Sequence, residues 1–590
     1  MVLPILESLC RVFGIGISGS QPLIQHITLI IAMLGGAVAA RESRLLSISS
    51  FTVFLKEDLR KWTVLISGVF SIFITIVLTV ATYQFVQNER LAGEILCYQV
   101  PKWVVQLIMP LGFALIGIRL WWNSGQNWKM RLISLLASAV LLYIFYHPFC
   151  TPEKLFWPFL IVLLIATVLG TPLYVTLGGA AIMLFWSEGS PVDGLPIDQY
   201  GLVTNPTLPT LPLFTMAGYF LAEGGASKRL IRVFTALVGG IKGGTVIMTF
   251  LVCAFFTTFT GASGVTILAL GGLLLPVLLN AGYSNRNSLG IITSAGALGL
   301  LFPPSLPLIL YAIIAKDVSI QQMFLGGLLP GILFLLILGG VGVFQGRKIK
   351  ILSNKFSLKE AVAALWDAKW DLAVPLVAIM ALFSGKFTPV EAASLTALFA
   401  FFVEAILYRD LKFTEKSAKA ISSENKSAFQ TMAECGILIG GILLILGLAL
   451  GFTNYLVFAE IPTLAIEWVT QHIHSAWVFL LCLNLCLLFV GCLMDVYSAI
   501  VVVVPLITPL GAAFGIDPIH LGIIFLANLE LGFLTPPVGM NLFLSSYRFG
   551  KPMSEIIKSV IPMLLAAGVT VLLITYIPWL TTWLPQFFKS

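Results

Sequence analysis

The stretch Gly532-Phe533-Leu534-Thr535-Pro536-Pro537-Val538-Gly539-Met540-Asn541 decides how this chain is read. It lies inside a long apolar run, where an ordinary membrane helix should continue. Two consecutive prolines remove two backbone donors and clash with the preceding turn, so the helix is predicted to break here. A break at membrane depth exposes carbonyls that lipid cannot satisfy. It is tolerated only when it is buried in protein or lines a watery cavity. Discontinuous helices of this kind are where secondary transporters hold coupling ions and substrates.

The same device occurs a second time, at Gly299-Leu300-Leu301-Phe302-Pro303-Pro304-Ser305, 233 residues earlier. At that single offset Pro276 falls on Pro509, Gly282 on Gly515, Leu298 on Leu531, Gly299 on Gly532 and Leu301 on Leu534, without gaps. Shared apolar composition produces coincident leucines. It does not produce coincident prolines and glycines at one spacing. The pattern reads as an internal repeat with a binding site between its halves, rather than as two unrelated proline kinks.

Composition sets the frame. Of 590 residues 58% are hydrophobic and 10% charged, which predicts a polytopic membrane protein. No polar stretch is long enough for a soluble domain; the longest are 345–371 and 408–427. The net charge of +7 reads as a cytoplasmic excess of Lys and Arg, not as affinity for nucleic acid. Cys482 and Cys486 share a helix face without a His or acid beside them, which predicts packing rather than metal ligation. The five histidines are dispersed. The first residues lack the basic start and small-residue exit of a cleavable signal peptide.

Along the chain, residues 2–19 are apolar but carry Glu7 and Arg11, and fit either a short span or a helix in the interface. Spans are predicted at 22–41, 62–88, 100–122 and 129–147. Arg41, Arg44, Lys56, Arg60 and Lys61 in one connection, and Arg119, Lys129 and Arg131 in another, place both in the cytoplasm and leave 89–101 outside. His147, Pro148 and Pro152 mark a junction, after which Gly and Pro interrupt nearly every apolar run. The expected division is 1–125, a connecting helix and linker at 126–154, and 155–590 with halves at about 155–345 and 371–590. Residues 187–209, with Glu188, Asp193 and Asp198, are expected outside; Lys228 and Arg229 inside. Between the halves Arg347, Lys348, Lys350, Lys355 and Lys359 predict a cytoplasmic connection with a surface helix near 357–369. Residues 408–427, with Arg409, Lys412, Lys416, Lys419 and Lys426, predict a second basic loop. Pro389 with Glu391 in the first turn marks a helix start.

Residues 250–280 are split by Thr257-Thr258-Phe259-Thr260-Gly261-Ala262-Ser263 into two pieces, each expected to be too short to span. That predicts a re-entrant hairpin with its tip inside the protein. Hydroxyls and freed carbonyls at such a tip suit a small cation, and helix N-termini suit a carboxylate. The hydroxyls could equally serve only their own helix backbone; the broken helix that follows favours the functional reading. The matching element of the second half contains Asp495, an acid in an apolar region and so a functional candidate. Glu530 is expected instead to pair with a buried Lys, Arg or backbone group.

These residues resemble the tripartite ATP-independent periplasmic (TRAP) transporters, with small and large membrane subunits in one polypeptide. The large-subunit resemblance covers about residues 155–590. It rests on Leu211–Phe214 with Gly224-Gly225, the Thr260–Ser263 tip, Gly282-Tyr283-Ser284, Leu298–Ser305, Thr388-Pro389 with Glu391-Ala392, Gly491 with Asp495, Gly515–His520 with Gly522, and Thr535–Gly539. The small-subunit resemblance, over about 20–125, rests on Ala39-Ala40-Arg41-Glu42 and Pro101-Lys102-Trp103; residues 2–19 stand where a full first span is usual. The resemblance implies an all-α polytopic protein of the bacterial inner membrane: a four-helix-type scaffold fused to an inverted-repeat elevator domain with two re-entrant hairpins and two broken helices. It implies sodium-coupled uptake of an organic acid, such as a C4-dicarboxylate or sugar acid, delivered by a periplasmic substrate-binding protein. By analogy the fused chain acts as a monomer.

Carried over by motif, one sodium would be held by Thr258 or Thr260, Gly299, Phe302 and Pro304, and another by Gly491, Gly532, Thr535 and Val538. The repeat offset itself takes Thr258 to Gly491. Substrate contacts would fall near Ser263, Ser294, Ser305, Asp495 and Asn541. The tip reads Thr-Gly-Ala-Ser where the family more often has Ser-Gly-Ser-Ser, so Ala262 lacks one hydroxyl. The nearest rival is a stand-alone sodium–dicarboxylate carrier, which would leave the N-terminal spans unexplained. A membrane enzyme would need a catalytic constellation, and an ion-pumping subunit a line of intramembrane charges; neither is visible in the sequence.

Overall fold

Apolar runs punctuated by Gly, Pro and charge become helices throughout the computed structural model. It describes residues 1–13, 16–45, 47, 57–125, 127–146, 152–189, 192, 194–347, 356–412 and 427–588. The protein is an all-α polytopic membrane protein. Among the described residues 11 helices are long and apolar enough to cross a membrane, or up to 12 with one bent pair, Asn285–Leu301 and Leu306–Ala315, taken as a span. The four spans predicted first are found as Ser20–Arg41, Trp62–Ala92, Lys102–Asn123 and Trp128–Tyr146. Residues 2–19 contribute the helix Val2–Val12, whose 11 residues are too few to cross alone. Lys56, His147, Pro148, Asp193, Lys348, Lys350, Lys355, Lys416, Lys419 and Lys426 lie outside the described residues.

Two compact units divide the chain by packing. One comprises Leu6–Pro212 and Ala433–Ala465. Its helices approach closely at glycines. A Cβ on Gly112 would lie 2.7 Å from that of Met33, and one on Gly440 would lie 2.5 Å from the Gly35 Cα. Such small-residue contacts are how membrane helices pack without a hydrophobic drive between them. Two of its buried polar pairs join distant helices: Tyr174 Oη with Thr75 Oγ1 at 3.0 Å, and His26 Nε2 with Tyr200 Oη at 2.8 Å.

The other unit comprises Met1–Ile5, Leu213–Met432 and Ile466–Ser590, and holds both proline pairs. The expected surface helix is Leu358–Asp367, and Thr388 and Glu391 close a capping box on Pro389–Phe401. Arg229 gathers three acids from distant segments. It bonds Asp371 at 2.6 and 3.1 Å, Glu404 at 2.7 Å, and Asp410, with its guanidinium 3.7 Å from the centre of the Tyr408 ring. Burial works against the Arg229 charge, and the hydrogen bonds and attraction of Asp371 and Glu404 more than offset it, raising its pKa. Glu404 sits in a π-helical turn, Phe402–Leu407, which turns its carboxylate also onto the Gly225 N–H at 3.1 Å.

Two expectations fail here, the first in part. Only one of the two hairpin pieces expected to be too short is so: Gly244–Thr260 has 17 residues and stays among the shorter apolar helices, whereas Ser263–Asn280, with 18, is long and apolar enough to cross, as are Ala476–Leu493 and Val496–Ala513 of the second hairpin. At 1.5 Å per residue each is about 26 Å long; in the first hairpin one helix ends and the next begins within the polar cluster at the tip. Cys482 and Cys486, expected in packing, are exposed on Ala476–Leu493.

Candidate functional site

The first break is a loss of helical hydrogen bonding that the neighbouring hairpin repairs. Asn285–Ala295 tightens into a 3-10 turn, Leu298–Leu301, and Phe302 then turns extended before Pro303-Pro304, joined by a cis bond. The carbonyls left behind are met by threonines of Gly244–Thr260. Thr257 Oγ1 donates to the Gly296 carbonyl at 2.7 Å, and Thr258 Oγ1 reaches the Gly299 carbonyl at 3.1 Å. Gly299 has no room for a side chain: a Cβ would lie 2.5 Å from Thr257 Cβ and from the Thr258 nitrogen. Phe302 is held on its other side, since a Cβ on Gly331 would lie 3.0 Å from its ring.

The tip itself is buried. Gly261 turns with φ +63°, and a Cβ there would lie 2.6 Å from that of Leu306, the residue after Ser305. Thr260 and Ser305 flank this contact. Both are fully buried, and neither hydroxyl has a hydrogen-bond partner. Buried hydroxyls without a partner are uncommon and call for an explanation, and these two stand together at the tip and the break.

In the second half the same offset brings Gly491 against Gly532. A Cβ on Gly532 would lie 2.6 Å from the Gly491 Cα. The segment after the break is tied back: Gly539 N–H donates to the Cys492 carbonyl at 3.0 Å, and Asn541 N–H to Phe533 at 3.2 Å. Pro536-Pro537 also carries a cis bond. Thr535 Oγ1 donates to the Leu531 carbonyl at 2.8 Å, and Val538 is buried.

The halves meet at Ser263 and Asn541. Ser263 Oγ donates to Asn541 Oδ1 at 2.7 Å, Asn541 Nδ2 donates to the Thr293 carbonyl at 3.3 Å, and Thr293 Oγ1 donates to Ser545 Oγ at 2.8 Å. Four helices begin at the tips and breaks: Ser263–Asn280, Leu306–Ala315, Val496–Ala513 and Met540–Phe549. Three of them have no side-chain cap. Helix N-termini of this kind suit a carboxylate, and the partnerless Thr260 and Ser305 hydroxyls suit a small cation.

Two expected contacts stand apart. Ser294 Oγ bonds its own helix, at Gly290 and Ile291 (2.9 and 3.0 Å). Asp495 caps the fourth helix: Oδ2 accepts from the N–H groups of Tyr497 and Ser498 at 3.0 and 3.2 Å, and Oδ1 from the Ser498 hydroxyl. Glu530 corrects a third expectation. It is buried, yet neither carboxylate oxygen has a hydrogen-bond partner, so the predicted Lys, Arg or backbone contact does not form. Its helix, Pro518–Gly532, is buried along nearly its whole length, so its backbone groups serve the helix and none is free for the side chain. Sequence reasoning passed over Thr257, Thr293, Ser545 and Tyr497. Tyr497 carried a usable signal, since it stands two residues after an acid at a helix start.

Residues 160–580 match the family described as tripartite ATP-independent periplasmic transporter, DctM component, and residues 1–129 match the DctQ component of these transporters. The C4-dicarboxylate TRAP transporter large permease protein DctM of Pseudomonas aeruginosa is 35% identical over 70% of this chain and 93% of its own. The isethionate TRAP transporter permease protein DctMQ of Oleidesulfovibrio alaskensis is 29% identical over 83% of this chain and 76% of its own. The sialic acid TRAP transporter large permease protein SiaM of Vibrio cholerae is 28% identical over 69% of this chain and 93% of its own.

Proposed function

Because the chain belongs to the tripartite ATP-independent periplasmic transporter family, with small and large components fused, we propose that it performs sodium-coupled uptake of an organic acid. It is a multi-pass protein of the bacterial inner membrane. A periplasmic binding protein hands it the substrate, an acid of the class its relatives' names record: C4-dicarboxylate, isethionate or sialic acid. An elevator motion of the hairpins and broken helices carries it across. Residues 1–125 serve as added scaffold, 126–154 as the connection, and 155–590 as the transporter proper.

The observation that supports this most is the repeated clasp: Thr258 on Gly299 and Gly491 on Gly532, at one offset, each joining a hairpin to a broken helix. One sodium is read by Thr258, Thr260, Gly299, Phe302 and Pro304, the other by Gly491, Gly532, Thr535 and Val538. The Thr260 hydroxyl without a partner supports the first set. The substrate lies near Ser263, Ser305 and Asn541, at the helix N-termini. Sodium orders a tip against its break, the carboxylate then meets a formed surface, and each ligand strengthens the other's binding.

The test is uptake of labelled organic acids into proteoliposomes with an inward sodium gradient and the cognate binding protein, each omitted in turn. Uptake that needs both is the expected result. Uptake that needs sodium alone would make this a stand-alone carrier, and uptake indifferent to sodium would end the coupling hypothesis.

A further inference from the structure

A side chain of the second hairpin's tip reaches the tip of the first. Tyr497 lies in the first turn of Val496–Ala513, is buried, and donates its hydroxyl to the Gly261 carbonyl at 2.7 Å. Gly261 is the pivot of the other tip. Its N–H closes Gly244–Thr260 onto Thr257 at 2.8 Å, and its left-handed φ turns the chain toward Ser263. A Cβ on Gly261 would lie 2.6 Å from Leu306 Cβ on one side and 2.8 Å from Tyr497 Oη on the other. The first tip is therefore gripped between the first break and the second hairpin. Tyr497 is itself held, because Asp495 Oδ2 accepts its backbone N–H at 3.0 Å. Direct contacts thus run from Asp495 through Tyr497 and Gly261 to Leu306.

We propose that Tyr497 is a positioning residue that ties the two tips together, so that an ion ordering one hairpin favours binding at the other. This rests on the sodium-uptake reading above. The tie is built from one side only: at the repeat offset Tyr497 corresponds to Gly264, which has no side chain to return the contact. A buried phenol-to-carbonyl bond contributes about 1 kcal/mol net, so its loss changes coupled binding about fivefold. The hydroxyl is not itself a sodium ligand in this proposal; it fixes where the Gly261 carbonyl and its neighbours Thr260 and Ser263 stand.

Tyr497→Phe removes the hydroxyl and keeps the ring that fills the site. The full-length protein, in lipid nanodiscs, is followed by hydrogen–deuterium exchange over residues 257–266 and 491–499 during a sodium titration. Without sodium, exchange over 257–266 should rise about fivefold in the variant and stay unchanged elsewhere in the unit. In wild type, sodium should protect both tips with one midpoint; in the variant the two midpoints should separate. In uptake, half-saturating sodium should rise about fivefold with maximal rate held within about twofold. Unchanged sodium-free exchange over 257–266 overturns the tie. Faster exchange throughout the unit, with a single midpoint retained, makes Tyr497 a residue of general stability and also overturns it. If sodium protects neither tip of the wild type, the sodium reading itself has failed, and coupling between ion sites falls with it. The physical tie then stands or falls on the sodium-free comparison.

Discussion

In the first half of the repeat, hydroxyls line the hairpin and break: Thr257, Thr258, Thr260, Ser263, Thr266 and Ser305. At the matching positions of the second half stand Val490, Gly491, Leu493, Val496, Ala499 and Val538. Conversely, Ala262, Gly264, Ala297 and Leu308 give way to Asp495, Tyr497, Glu530 and Asn541. What coincides around the breaks is the glycines and prolines that shape the backbone, with a few apolar residues such as Leu298 and Leu531. The repeat therefore preserves a clasp of main chain on main chain, while the side-chain chemistry differs between the halves. Where Thr258 reaches a carbonyl through a hydroxyl, Gly491 lets the helix itself lie against Gly532. Main-chain carbonyls are therefore the oxygens both halves have in common, whereas the hydroxyls at these positions belong to the first half.

The largest effect should come from what the halves share. Gly532→Ala places a methyl 2.6 Å from the Gly491 backbone, and Gly299→Ala places one 2.5 Å from the Thr258 nitrogen. Backbone cannot yield as a flexible side chain can, so each should destabilise the protein by about 1–3 kcal/mol and open its clasp. Both should lose sodium-dependent uptake while a membrane-inserted protein remains, scored by thermal unfolding and transport together. Normal uptake in either variant would break the equivalence of the two clasps.

Asp495 should give the next largest effect, and it separates two roles. Its carboxylate caps a helix, so Asp495→Ala should destabilise by about 1–2 kcal/mol and abolish uptake by deforming the second tip. Asn caps nearly as well as Asp. If Asp495→Asn transports normally, the residue acts through capping. If Asp495→Asn is folded but inactive, the carboxylate takes part in transport beyond its role as a cap.

These cases show what a sequence of this kind exposes. Breaks and spans were readable because Pro and Gly alter the backbone wherever they stand: Pro303-Pro304 and Pro536-Pro537 both end helices as predicted. The capping box at Thr388 and Glu391 was readable for the same local reason. Partners were not. Ser263 and Asn541 are 278 residues apart, and Ser294 turns to its own helix although it sits close to the break in sequence. Helices buried all round carry little apolar periodicity, so nothing in the pattern says which way a hydroxyl faces. The hairpin lengths escaped because Gly and polar residues mark where a helix stops, not how far its other end runs.

Thr258→Val should have a smaller, one-sided effect. It keeps the shape and removes the bond to the Gly299 carbonyl at 3.1 Å, together with one candidate oxygen for sodium. A lost bond of about 1 kcal/mol raises half-saturating sodium about fivefold in an uptake assay, with maximal rate preserved. Thr535→Val is the test on the other side. Its hydroxyl serves the Leu531 carbonyl as that of Thr258 serves the Ala254 carbonyl, each four residues back, so a much larger loss at Thr535 would mean that the second site uses its oxygen directly.

The smallest effect should come from Glu530, where the first half has Ala297. Its two oxygens are buried without hydrogen bonds. A buried polar group without a partner weakens the fold, and replacing it by an apolar side chain of similar volume is commonly neutral or stabilising. Glu530→Leu should therefore leave thermal stability unchanged or raise it, by up to about 2 kcal/mol. The first half shows that a clasp can form with an apolar residue at this position, since Gly299 still seats on Thr258 with Ala297 beside it. If Glu530→Leu instead destabilises the protein, the carboxyl has a water or ion partner that contributes to the fold. If stability holds while uptake is lost, Glu530 belongs to the transport cycle, and the second half carries a polar function that its repeat partner never had.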